Sequence, residues 1–548
     1  MNKKVIGAGV LLMPLAIQAQ QQAAKPNIVV ILLDDVGYSD FGCYGSEVPT
    51  PNIDKLAQNG IRMQHFYNMA RSTPSRACLL TGLYPHQVGC GSLNPVPGHP
   101  NYQAFTNERN NFLPEVLKSV GYFNVVTGKW HIGAFKGVLP NKRGFDRSFI
   151  SPAGGYYFPH VVNNKKDKVN EQNPGRFVFI KDDKTVRFDD PEAPKNWYST
   201  QLWTDTGLNY IDEAIGKKQP FFWYLAYNGA HFPLQAPAET IKKYKGKYMA
   251  GFEKIRNARY AKQLKLGLFD KKDLLTPRNP KCPDWDTLSA EQKDKFDTQM
   301  AVYAAVMEEL DKGIGKVLDH LKEKGVLDNT LILLMSDNGG NGEHDVWGTC
   351  EGKNPGAAGS NLLLGSAWAD VANTPFFLYK HHGHEGGCNT PLIISYPNGI
   401  NKKLNGTIDK KNYGHFVDIM TTLVDLTGAT YPKTHNGNDV PPMEGVSLLP
   451  ILKGGTVVHD KPTIVEHEGN KMLRDGEWKI VQENKETTWN LYNIKNDPTE
   501  MHDLAAQNPQ LVKQLAAKYD EMAKHIGVEP EISFKVSKWY TPVNEYVK

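Results

Sequence analysis

Ser72 opens the most chemically suggestive stretch of the chain, RSTPSRACLLTG from Arg71 to Gly82. With Pro74 in the first turn and Gly82 at the close, the spacing predicts a short helix with Ser72 as its N-cap. A helix mouth offers free backbone N–H groups and the positive end of a dipole, a place for an anion. Arg76 adds a permanent planar cation one turn on. For a lone Ser-x-Pro the reading would stop at a capped helix. Two further pairs, Asp34-Asp35 and Asp337-Asn338, offer only oxygen ligands, which suit a hard cation such as calcium or magnesium rather than zinc. Singly, each pair could be a cap or a turn. Lys129, His131 and His231 add groups able to meet an anion or move a proton near neutral pH.

Those residues need elements to hold them. Pro26–Leu33 is a continuous apolar run, as in a parallel strand covered on both faces. Similar runs recur at Phe123–Val126, Phe221–Tyr227, Thr330–Met335 and Pro391–Tyr396, with helical periodicity at Leu113–Ser119 and Asp297–Lys324 between them. The alternation predicts an α/β fold: a large mixed, mostly parallel sheet sandwiched by helices. Ligand sites in such sheets gather beyond the carboxyl ends of strands. Asp34-Asp35, Lys129/His131, His231 and Asp337-Asn338 each follow one of the first four runs. Ser151–Asn196 and Ala236–Asp286 read as long irregular insertions. Beyond about residue 455, short strands at Thr463–Glu466, Glu477–Glu483 and Thr488–Tyr492 and a helix at Pro509–Ile526 predict a small C-terminal α+β domain with an antiparallel sheet. The expected organisation is 1–19 leader, 25–455 catalytic domain and 456–548 C-terminal subdomain.

STPSR at Ser72–Arg76 followed by LLTG resembles the signature of type I, formylglycine-dependent sulfatases of the alkaline phosphatase superfamily, whose first residue is Cys or Ser. The resemblance runs from Pro26-Asn-Ile-Val-Val to WNLYNIKNDPTE at Trp489–Glu500. It implies oxidation of Ser72 to formylglycine, with Ser marking the bacterial variant matured by a radical enzyme. It implies calcium (magnesium being the other hard cation) held by Asp34, Asp35, Asp337, Asn338 and the modified Ser72. It assigns Lys129 and Lys380 to sulfate, His131 to a formylglycine hydroxyl, and His231 to sulfate and the leaving oxygen; Arg76 joins the catalytic set. His344 and Asp345, just past the metal pair, could face substrate. His381, His382 and His384 beside Lys380 suggest a metal, but the usual zinc spacing is not matched. The segment from Tyr244 to Tyr260 resembles an arylsulfatase branch that also acts on sulfated sugars. The expected activity is exo-acting hydrolysis of sulfated glycans, such as galactose or N-acetylgalactosamine sulfates. A phosphomonoesterase or phosphonate hydrolase of the same superfamily is the enzymatic alternative, and an inactive glycan-binding homologue the non-enzymatic one.

Composition narrows the partners. The 548 residues carry a net charge of +4, too even a balance to suggest nucleic acid. Lys3 and Lys4 followed by apolar Val5–Ile17 and then Ala19 have the layout of a secretory signal, so a periplasmic or secreted protein without a membrane span is expected. Lys242, Lys243, Lys245 and Lys247 read as a solvated face or a border for an anionic substrate. The six cysteines form no CxxC pair; their pairing cannot be read from spacing.

Overall fold

The computed structural model describes residues 25–154, 156–159, 178–188, 190–484, 486–535 and 542–546. The expected leader lies outside them. At the centre is a ten-stranded sheet: β1 (Asn27–Leu33), β2 (Ile61–Tyr67), β3 (Phe123–Lys129), β4 (Arg147–Ser151), β5 (Val178–Lys181), β6 (Lys184–Arg187), β7 (Phe221–Ala226), β8 (Thr330–Ser336), β9 (Leu392–Ser395) and β10 (Thr407–His415). Their order is β10-β2-β9-β8-β1-β7-β3-β4-β5-β6. Strand β1 is buried on both faces: Ile28, Val30 and Leu32 enter one hydrophobic core, Val29, Ile31 and Leu33 the other. That double burial is why the strand reads as an unbroken apolar run.

Strands β8, β1, β7, β3 and β4 are mutually parallel, so their carboxyl ends share one edge. Gly128 lets β3 approach β7 near that edge; a Cβ there would lie 1.8 Å from the Ala226 carbonyl oxygen. Strand β9, expected among the parallel strands, runs antiparallel to both β8 and β2. The chain enters it from the site edge, through the Glu385–Cys388 turn of helix, and this delivers Lys380 to the same edge as the other candidates.

Both predicted insertions contain regular structure. β5 and β6 extend the main sheet as an antiparallel hairpin on β4, although 160–177 of the first stretch lies outside the described residues. Helices at Ala238–Tyr244 and Phe252–Leu266 fill much of the second. Their polar surfaces hid them: Lys243 pairs with Glu308 and Lys245 with Asp294 on the long helix, while buried Arg259 bonds Asp40 and Glu47. The long helix, Ala290–Glu323, starts seven residues before the periodicity suggests, at a reciprocal cap in which Ser289 and Gln292 each bond the other's backbone N–H.

The C-terminal subdomain is an antiparallel sheet, β11 (Thr463–His467), β12 (Asn470–Asp475), β13 (Trp478–Gln482) and β14 (Asn490–Asn493), with the Pro509–Ile526 helix packed against it. Its seam with the large domain is polar and buried. The Lys479 ammonium, fully buried, lies 2.6 Å from Glu385 and 2.8 Å from Glu500. His384 bonds Glu500, and His382 bonds Glu483. Burial alone would raise the Glu385 and Glu483 carboxyls, but Lys479 and His382 respectively hold them below the ordinary carboxylate range. A depressed carboxyl stabilises the fold above its unfolded pKa and loses that contribution as pH falls through its folded value. The seam is therefore expected to loosen below about pH 4.5, read as acid-induced hydrogen exchange in β12 and β13. Lys479→Met should strand Glu385 and Glu500 and cost about 3–5 kcal/mol, measured by urea denaturation.

A candidate active site at the sheet edge

Ser72 begins the Ser72–Thr81 helix, which ends in left-handed Gly82. It is the first helical residue and not the cap; Arg71 occupies the cap position without a side-chain bond. The hydroxyl is thereby free for the site. Ser72 Oγ accepts from Arg76 Nε at 2.9 Å and lies 3.3 Å from His131 Nδ1. Thr73 fixes His131 by donating to its carbonyl. Arg76 is fully buried and also donates to Asp337 Oδ2 at 3.1 and 2.9 Å and to the Lys129 carbonyl.

The structure brings Asp34, Asp35, Asp337 and Asn338 together on the ends of β1 and β8, all at 0–1 % exposure. Lys129 Nζ lies 2.5 Å from Asp34 Oδ2 and Lys380 Nζ 2.8 Å from Asp35 Oδ1. Asn338 Nδ2 donates to Asp35 Oδ1 at 2.7 Å. His231 Nδ1 bonds the Phe232 carbonyl, leaving Nε2 facing Asp35 Oδ2 at 3.7 Å. Sequence-distant candidates thus share one pocket.

One raised carboxyl and two unpartnered oxygens suit this pocket to a cation. Burial and then the Asp34 charge push Asp337 up to about 6. Asp34 Oδ1 and Asn338 Oδ1 are buried with no hydrogen-bond partner, an arrangement that costs stability unless something else meets those oxygens. Asp34, Asp35 and His231 also place ligand atoms within 4.8 Å of one another. The donor set fits a hard divalent ion. Burial, then Lys129 and Arg76, drives His131 well below its ordinary value; burial and Lys129 bring His231 to about 3.

Other candidates fare differently. His344 packs edge-on against Phe232, next to His231, on the pocket's rim. Asp345 instead caps a turn, accepting from Trp347 and Gly348 N–H. His381, His382 and His384 diverge onto Glu343, Glu483 and Glu500, so they share no metal. All six cysteines are free thiols.

The sulfatase family signature matches residues 26–429, well over half the chain. This protein belongs to the sulfatase family. A second match, to the C-terminal region of N-sulphoglucosamine sulphohydrolase, covers 376–525 and overlaps the first across the seam. An uncharacterized sulfatase of Schizosaccharomyces pombe is 32% identical, over 91% of this chain and 94% of its own. The arylsulfatase of Klebsiella aerogenes is also 32% identical, over 82% of this chain and 97% of its own. Human N-acetylgalactosamine-6-sulfatase is 26% identical, over 82% of this chain and 69% of its own. Among solved structures, Ps i-CgsB in complex with k-i-k-neocarrahexaose is similar at a TM-score of 0.68 and 26% identity, covering 94% and 96% of the two chains. The sulfatase fold, a large mostly parallel sheet with a C-terminal antiparallel domain, is the one observed here. The chain is accordingly a sulfuric ester hydrolase, of a family that uses a divalent metal and formylglycine.

Arg71, Asn341 and Glu343 were not singled out from the sequence, and His381 was noted there only as part of a metal-like histidine cluster. Arg71, immediately before Ser72, pairs with Glu343 at 2.7 Å, and Glu343 also bonds His381 and approaches Lys380 at 3.5 Å. Adjacency to Ser72 and Lys380 was the only available signal for Arg71 and His381. Glu343 was marked only by its neighbour His344.

Proposed function

We propose that this sulfatase removes sulfate from the ends of sulfated glycans, galactose or N-acetylgalactosamine sulfates being the leading candidates, with position 72 as nucleophile. One observation carries the reading: a buried Ser72 oxygen at a helix mouth, bonded by Arg76 and beside an all-oxygen cluster from β1 and β8. Oxidation of Ser72 to formylglycine, followed by addition of water to the aldehyde, would supply two hydroxyls on one carbon, one to attack sulfur and one whose deprotonation would expel sulfate and restore the aldehyde. Asp34, Asp35, Asp337, Asn338 and position 72 would hold a calcium ion, which would act as a Lewis acid on a sulfate oxygen.

The chain's own side chains do the rest. Arg76 pins the position-72 oxygen against the carboxylates. His131, kept neutral by its surroundings, presents Nδ1 to that oxygen as a proton acceptor. Lys129 and Lys380 leave their carboxylates to meet the sulfate, and stabilising charge is commonly the largest catalytic contribution. His231, fixed through Nδ1, holds Nε2 toward the leaving oxygen; arrival of the anion offsets the cations that depress its pKa, allowing it to carry the proton. His344 borders the entering substrate.

Relatives support the sugar preference: N-acetylgalactosamine-6-sulfatases of several mammals match this chain, and the match to an arylsulfatase supports aryl sulfates as assay substrates. The Lys3–Ala19 layout supports export to the periplasm or beyond, and serine at position 72 supports maturation by a radical enzyme in the producing cell. No helix among the described residues is long and apolar enough to cross a membrane. Assay of matured protein on sulfated mono- and oligosaccharides, 4-nitrophenyl sulfate and 4-nitrophenyl phosphate tests the proposal. Sulfate esters should be cleaved at least about 100-fold faster than the phosphate; the reverse preference would sink it.

A further inference from the structure

Arg71 and Glu343 lie against the sulfate-handling groups but take no part in the chemistry just described. Arg71 is bonded to the nucleophile position through the backbone. Glu343 touches Lys380, and Asn341 ties it to the metal cluster by donating to both Glu343 Oε2 and Asp35 Oδ2. Their side chains keep 10 % and 21 % exposure, while Lys129, Arg76 and Asp34 beneath them have none. They are the polar groups a substrate meets next once its sulfate is seated.

The wall is built, not incidental. His381 contacts both Arg71 and Glu343. Its backbone is held from the catalytic side by Ala70 and from the C-terminal subdomain by Asn470. Ala70, His344, His381 and Glu468 all adopt left-handed backbone conformations without being glycine, strain of the kind that persists where surrounding structure enforces a function. His467 is fully buried beside His381, and Glu468 continues the wall.

We infer that Arg71, Glu343 and His381 form a leaving-group subsite that binds hydroxyls of a neutral sulfated hexose or hexosamine next to its ester oxygen. The inference rests on the sulfatase reading and specifies its substrate class. A sugar hydroxyl is both donor and acceptor, so neighbouring hydroxyls can accept from the Arg71 fork and donate to Glu343. A uronate fits badly: Arg71 is already balanced by Glu343, and Glu468 adds negative charge. An aryl group offers neither donor nor acceptor here and would gain nothing from the pair.

The test uses matured protein, wild type and Glu343→Gln, with galactose 3-, 4- and 6-sulfates, N-acetylgalactosamine 6-sulfate, a 2-sulfated uronate and 4-nitrophenyl sulfate. On the best sugar, Glu343→Gln should lower kcat/KM by about 100-fold, against less than about tenfold on 4-nitrophenyl sulfate. A deoxy analogue lacking the hydroxyl nearest the ester should cost the wild type a similar factor and the variant much less, since Gln keeps only a neutral acceptor in place of the charged one. Arg71→Lys, which keeps charge but loses the fork, should reproduce the sugar-selective loss and guard against a folding artefact in one variant. Equal losses on sugar and aryl esters, no coupling to the deoxy analogue, or a uronate as best substrate would each overturn the subsite while leaving the sulfatase reading in place. A wild type inert on every sulfate ester would remove both.

Discussion

Ser72→Ala should lower turnover of 4-nitrophenyl sulfate by at least about 10,000-fold, the scale seen when a covalent nucleophile is deleted. The fold should survive. Arg76 loses one bond at 2.9 Å but keeps Asp337 and the Lys129 carbonyl, so the cost is about 1 kcal/mol. Mass spectrometry before and after expression with the maturing enzyme separates two causes of inactivity. Wild-type protein should show the small mass loss of serine oxidation; the alanine variant should show none. Substantial activity in the variant would dismiss position 72 as nucleophile.

Chelation should produce the second large effect. Three buried carboxylates and one unpartnered amide oxygen converge at the ends of β1 and β8. Calcium present at about 100 times its Kd should contribute about 2.7 kcal/mol to stability. Its removal should lower Tm and reduce kcat/KM by at least about 100-fold. Calcium restoring both, with zinc restoring neither, is the expected outcome of adding metals back to stripped protein. Unaltered Tm and rate after chelation, with metal analysis confirming loss, would exclude the cation assignment.

Legibility in the sequence followed the range of the interaction involved. Asp34, Lys129, His231 and Asp337 were visible because each directly follows a recognisable apolar strand, and strand ends in such sheets converge by geometry. Ser72 was visible through its neighbours, although as a first helical residue it is placed differently from the cap that Ser-x-Pro suggests. The Arg71–Glu343 pair spans 272 residues, and no periodicity relates two loops across such a distance. The reversed direction of β9 was equally hidden, since an apolar tetrad does not record which way its strand runs. β12 escaped because Asn470, Lys471, Arg474 and Asp475 dilute its apolar pattern.

Glu385 ties the loop of Lys380 to a lysine nearly a hundred residues later, in a different sheet. The two parts of this enzyme are consequently not separable modules. A fragment stopped near residue 455 would retain every proposed metal ligand yet strip Glu385 of its only lysine, leaving it to Tyr67, His65 and Asn389, with the arm bearing Lys380 untethered. Grafting a foreign C-terminal region onto this catalytic half would require the clasp to be transplanted with it.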